Sequence, residues 1–170
     1  MYLRSYRKVR FFCVCGALIT LMMSGCGKHS EYDVKQISYV HSYGGMDGAE
    51  LDVITSDGVV RKYTVQPYSD SEVDLFEGEI PSENQSDIEE YTISEDNWNS
   101  MVDAINDNGF MQLPEELPNV EASDGSSRYI EVVTSEGIHK VGGYCAGDGT
   151  GPKHQRFSQI REVIQANINS

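Results

Sequence analysis

Two nine-residue runs in this chain follow one pattern, and they constrain its fold more than any other feature. Leu51-Asp52-Val53-Ile54-Thr55-Ser56-Asp57-Gly58-Val59 aligns with Ile130-Glu131-Val132-Val133-Thr134-Ser135-Glu136-Gly137-Ile138, every position identical or conservatively replaced. Each run sets a small polar turn ending in Gly between β-branched and apolar residues. That is a hairpin signal, because glycine supplies the positive φ a tight turn needs. The first hairpin is expected at 49–55 and 59–65, the second at 128–134 and 138–141. Duplication and convergent hairpin chemistry both explain the likeness, and both lead to the same architecture.

Each hairpin is followed by a helical pattern. Thr92 or Ser94 is placed to cap the first helix, whose apolar stripe is Trp98, Met101, Val102 and Ile105. Glu95 and Asp96 in its first turn suit the helix dipole. Gly109 fits the position just past the end, with Phe110 folding back behind it. Pro152 fits the first position of a second helix, which buries Phe157, Ile160, Val163 or Ile164, and Ile168. A further strand, expected to be half exposed, comes before the hairpins, where Val34, Gln36 and Ser38 alternate with Lys35, Ile37 and Tyr39. The expected fold class is therefore α+β. A small, mainly antiparallel sheet of about five strands follows the plan β-(ββα)-(ββα), with two helices packed on one face.

The N-terminus is of a different kind. Arg4, Arg7, Lys8 and Arg10 precede an uncharged, mostly apolar run at 11–23, and small residues follow, the layout of a secretory signal. The run falls short of the roughly 20 residues that a spanning helix needs. Met23-Ser24-Gly25-Cys26 resembles the lipobox of bacterial lipoproteins, with Met23 where that pattern usually carries Leu. The resemblance covers about the first 27 residues. It implies cleavage after Gly25, a diacylglyceryl group on the Cys26 thiol, and an outward-facing chain anchored to the bacterial cell membrane. The organisation expected is a signal peptide at 1–25, a tether at 26–33 and one α+β domain at 34–170. One acyl chain alone holds a protein only marginally, whereas two on one residue hold it firmly.

The signal carries four of the 13 basic residues and none of the 27 acids, so from Cys26 onward the formal net charge is −18. Such a surface repels nucleic acid and anionic headgroups and favours basic partners. Cys13 and Cys15 leave with the signal and Cys26 is blocked by lipid. Cys145 is then the lone thiol, and no disulfide staples the mature chain.

An acidic loop is expected at about 68–92. From Asp70 to Asp96 there are eleven Asp or Glu and no Lys or Arg. Within it, Asp70, Glu72, Asp74, Glu77 and Glu79 offer at most weak Ca²⁺ capture, since the spacing is not that of an EF-hand. A solvated, self-repelling loop is the plainer reading. The Gly-rich run 142–151 precedes a helix start, where backbone N–H groups can cradle an anion, but no Lys stands at P-loop spacing. Cys145, with Asp148 and His154 nearby, offers a thiol nucleophile with a base, against the commoner reading of a small buried cysteine. His29, His41, His139 and His154 lack zinc-ligand spacing. The function expected is a lipid-anchored extracytoplasmic binding or structural domain of the envelope. It is not an enzyme, needs no cofactor, binds no nucleic acid, and takes an envelope protein or a basic ligand as partner. The alternatives are an envelope enzyme using Cys145 with a histidine, and Ca²⁺ capture by the acidic loop.

Overall fold

The computed structural model describes residues 32–42, 48–65 and 85–169. The signal, Cys26, His29 and the acidic residues Asp70, Glu72, Asp74, Glu77 and Glu79 lie outside the described residues.

The fold is α+β, with a six-stranded sheet in the order β4-β3-β2-β1-β5-β6. The strands are β1 (Val34–Ser42), β2 (Ala49–Thr55), β3 (Val59–Val65), β4 (Gln85–Thr92), β5 (Ser127–Thr134) and β6 (Gly137–Tyr144). Every strand pair is antiparallel. Two helices, α1 (Glu95–Asp107) and α2 (Pro152–Ile168), pack on one face of it.

Both hairpins form at the places their turn chemistry dictates. The first has the expected bounds, and Gly58 at its turn has φ +82°. The second is longer than expected, because β6 continues through Gly142 and Gly143 to Tyr144. Glycine here serves close approach. A Cβ on Gly142 would stand 2.3 Å from the Arg128 carbonyl and from the Tyr129 ring on the facing strand. The bare backbone also takes a partner on its other side: Leu117 N–H donates to Gly142 O at 2.9 Å, and Gly142 N–H donates to Glu115 O at 3.0 Å. That segment covers part of an edge that would otherwise be open to pairing.

The sheet holds six strands where about five are expected, and the plan is β-(βββα)-(ββα). The added strand, β4, lies in the last part of the stretch expected to be an acidic loop. One of its acids finds a basic partner on β3 and another stands opposite one. Arg61 stands opposite Glu90 and Lys62 opposite Glu89, and Arg61 Nε lies 2.7 Å from Glu90 Oε2. Opposite charges directly across a ladder stabilise it by a few tenths of a kcal/mol to about 1 kcal/mol. β1 also differs from the half-exposed strand expected. It is central, and Ile37, Ser38, Tyr39 and Val40 are all buried.

The core lies between the sheet and the helices. Ile37, Ile54, Val60, Ile130, Val132 and Val141 face Met101, Ile105, Phe157, Ile160 and Ile164. Ser94 caps α1 by accepting from Asn97 N–H at 3.2 Å. Gly109 ends that helix with φ +55°, and Phe110 turns back into the core. Arg156 of α2 donates to the Asn108 and Gly109 carbonyls, each at 2.5 Å, tying the two helices together through the end of the first. Of the two residues left open for the stripe of α2, Ile164 is buried and Val163 half-buried. A smaller cluster of Val40, Ala49 and Leu51 occupies the other face of the sheet.

Candidate functional site

The inner face of the sheet is only partly apolar. Side chains two residues apart on a strand share a face, so the register places them in rows across the sheet. The row through Ile37, Ile54 and Val60 is core. The next row runs Ile130, Tyr39, Asp52, Lys62, Glu89, and the one beyond runs Arg128, His41, Glu50, Thr64. The polar residues of these rows lie where α2 ends and no longer covers the sheet. The result is a cleft of about 280 Å³ lined from the strands by Tyr39, His41, Glu50, Asp52, Lys62 and Glu89 among others, with Gln165 and Ile168 from α2 and Asn169 just past its end.

Hydrogen bonds fix the walls. Gln165 Nε2 donates to Tyr39 Oη at 3.3 Å, and Lys62 Nζ donates to Asn169 Oδ1 at 2.9 Å. Tyr91 O–H donates to the Ile168 carbonyl in the last turn of α2. Lys62 also lies 5.7 Å from the centre of the Tyr91 ring. Its ammonium therefore sits at the negative end of the helix, where a cation is stabilised.

Asp52 is the chemically unusual group. Burial pushes its carboxyl up from 3.8 to about 6; Lys62 opposes this and the neighbouring Glu50 adds to it. Among the described residues, its carboxylate has no hydrogen-bond partner. His41, at the rim, is held below 6.5 by burial first and by the Arg128 charge next. Its Nε2 lies 3.0 Å from Ser126 Oγ. The cleft thus presents half-buried negative charge beside fixed amide and hydroxyl groups.

The residues singled out in the Gly-rich run are close in sequence but hold separate partners. Asp148 accepts from Arg128 Nη1 at 2.6 Å and lies 3.6 Å from Arg161 Nη1. Burial raises its pKa, but the bond and charge of Arg128, with Arg161, outweigh this and hold the carboxyl below its ordinary value. His154 is 4 % exposed. Its Nδ1 accepts from Gly147 N–H at 3.1 Å, which leaves the proton on Nε2 to donate to Pro118 O at 2.9 Å. Both ring nitrogens are thus occupied in pinning the loop. Cys145, 3 % exposed, has φ +53° and donates its N–H to Ser126 O at 2.9 Å. Beside them lies a wider groove of about 710 Å³, lined by Pro118, Val120, Thr150, Pro152, Lys153 and others. It borders the start of α2, whose N-cap Gly151 contributes no side-chain bond. His139 Nε2 lies 3.0 Å from Leu113 O, and its ring meets Phe110 edge-on. Trp98 is buried on the core side of α1.

Among the described residues, no group of three or more His, Cys, Asp or Glu is arranged to hold a metal ion. Among the same residues no helix is long and apolar enough to cross a membrane. The chain matches no protein-family model, and no curated protein matches it.

Sequence reasoning missed the cleft. The strand Ala49–Thr55 alternates in both directions, with Ala49, Leu51 and Val53 on one face and Glu50, Asp52 and Ile54 on the other. Apolar residues on both faces hide which one is inside. The available signal was that Glu50 and Asp52 share a face with the core residue Ile54.

Proposed function

We propose that this chain is a lipid-anchored extracytoplasmic binding domain of the bacterial envelope, held through Cys26 and binding through the cleft around Asp52. The observation that carries the reading is the polarity of β1. Cys26 precedes Tyr32 by six residues, so the tether reaches at most about 20 Å. The chain enters the fold at the start of β1, where Tyr32 N–H donates to Asn106 Oδ1 at 3.2 Å. The cleft lies toward the opposite end of that strand, at Tyr39 and His41, about 17–23 Å away at 3.3 Å per residue. An anchor at one end and an open polar cleft toward the other suit a domain that presents its binding surface away from the bilayer. The net charge of −18 beyond the signal supports a basic partner over nucleic acid or anionic lipid.

The test is Cys26→Ser in cells, followed by membrane fractionation. The reading expects the variant to leave the membrane fraction or to accumulate with its signal uncut. A fraction identical to wild type contradicts it.

A further inference from the structure

Resting on that binding reading, we infer that the cleft receives a cationic nitrogen group, an alkylammonium or a guanidinium, seated against Asp52 and Glu50 below the end of α2. Three features of the cleft lead to this ligand class. The first is shape. At about 280 Å³ the space lies near the lower end of small-molecule pockets and suits a group of side-chain size. The second is the state of its charges. Asp52, Glu50 and Glu89 line it, and among the described residues none of the three makes a hydrogen bond or an ion pair through its side chain. The single lysine in the lining is already turned to Asn169 Oδ1 and to the Tyr91 ring. The third is preorganisation. Tyr39 is buried and bonded to Gln165, and Lys62 and Tyr91 pin the helix end. The walls are therefore set before a ligand arrives, which lowers the ordering cost of binding.

Half-burial of the Asp52 carboxylate is costly, the Lys62 charge offsets only part of that cost, and an incoming cation lowers it further. Binding is thereby linked to the proton on Asp52. The charged and titratable groups around it are His41 and Tyr39 on β1, Glu50 on β2, Lys62 and Tyr63 on β3, and Glu89 and Tyr91 on β4. From α2 and its C-cap come the neutral Gln165 and Asn169, with Arg161 acting on His41. His41 is held below 6.5 and stays neutral at pH 7. The lining then carries three carboxylates against one ammonium.

The test uses the full chain in non-ionic detergent, titrated with 1,4-diaminobutane at fixed ionic strength and followed by amide chemical shifts. 1,4-Butanediol serves as the uncharged control, and arginine amide as the guanidinium arm. Saturable shifts at Asp52, Lys62 and Gln165 are expected with the amines and absent with the diol. Asp52→Asn should weaken binding about tenfold or more. Glu90→Gln, on an exposed acid paired with Arg61, should leave it within twofold. Lowering the pH from 7.5 to 5 should weaken wild-type binding about tenfold, as Asp52 takes up its proton. Shifts that fail to saturate, that spread equally to acids such as Asp96 and Asp103, or that persist unchanged in Asp52→Asn overturn the inference. Such a failure removes the ligand class alone, because anchoring through Cys26 is read separately by fractionation.

Discussion

Replacing Asp52 by Asn should stabilise the protein at neutral pH, by an amount that vanishes in acid. The unfolded carboxyl titrates near 3.8 and the folded one near 6. At 1.36 kcal/mol per pH unit, that difference corresponds to about 3 kcal/mol. Asp52 keeps some contact with water, and the nearby Lys62 loses a favourable charge in the variant, so about 1–3 kcal/mol is expected. The sign follows from proton binding. Between 3.8 and 6 the folded state holds this proton more tightly than the unfolded chain does, so folding is favoured as the pH falls through that window. Above 6 the ionised carboxyl imposes its full cost. Asn is isosteric and uncharged, and removes the cost at every pH. Urea unfolding of wild type and variant at pH 4, 5, 6 and 7 reads this directly. The variant should match wild type near pH 4 and gain steadily to pH 7. Taking the difference cancels Asp148, whose depressed pKa works in the opposite direction. A variant less stable at pH 7, or a difference independent of pH, would refute the reasoning. A residue that weakens the fold at working pH is what a binding site retains against stability.

Other outcomes follow from the same structure. Cys145, buried beneath the loop, should resist iodoacetamide in the folded protein and react once urea unfolds it; rapid alkylation of the native chain would favour a thiol nucleophile. His154→Ala strands the Gly147 N–H and the Pro118 carbonyl and should cost about 2–4 kcal/mol by urea unfolding. The His41 ring proton should titrate below 6.5 by NMR, with its share of stability present at neutral pH and lost as the pH falls through that lower value. Gly109→Ala, which forces a side chain to φ +55° and brings its Cβ within 2.5 Å of Arg156 Nη2, should cost about 1–3 kcal/mol.

The architecture was legible wherever local chemistry dictates local structure. Asp57-Gly58 and Glu136-Gly137 locate turns without reference to the rest of the chain. Ser94, Gly109 and Pro152 bound helices by satisfying or removing terminal backbone donors. β4 was not legible, because its acids read as solvated loop until Arg61 and Lys62 are known to stand opposite them. That pairing bridges about 30 residues, and local pattern carries no register. The full length of the second hairpin is hidden in the sequence for a related reason. Gly142 and Gly143 look like loop, and only the Tyr129 ring and the segment at Glu115–Leu117 on either side show why a bare backbone belongs in the strand. The cleft was hidden by the same kind of non-local fact. Asp52 is unremarkable in sequence and becomes chemically distinct only because the register puts it on the inner face of the sheet, where the surrounding strands and the end of α2 half-bury it.

The claim on which the account rests is the anchor at Cys26, and the mass of the N-terminal peptide of membrane-extracted protein tests it most directly. The account predicts a mature chain beginning at Cys26, with a diacylglyceryl adduct on its thiol and no peptide from residues 1–25. A chain that still begins at Met1, or one cut elsewhere with an unmodified Cys26, would contradict it.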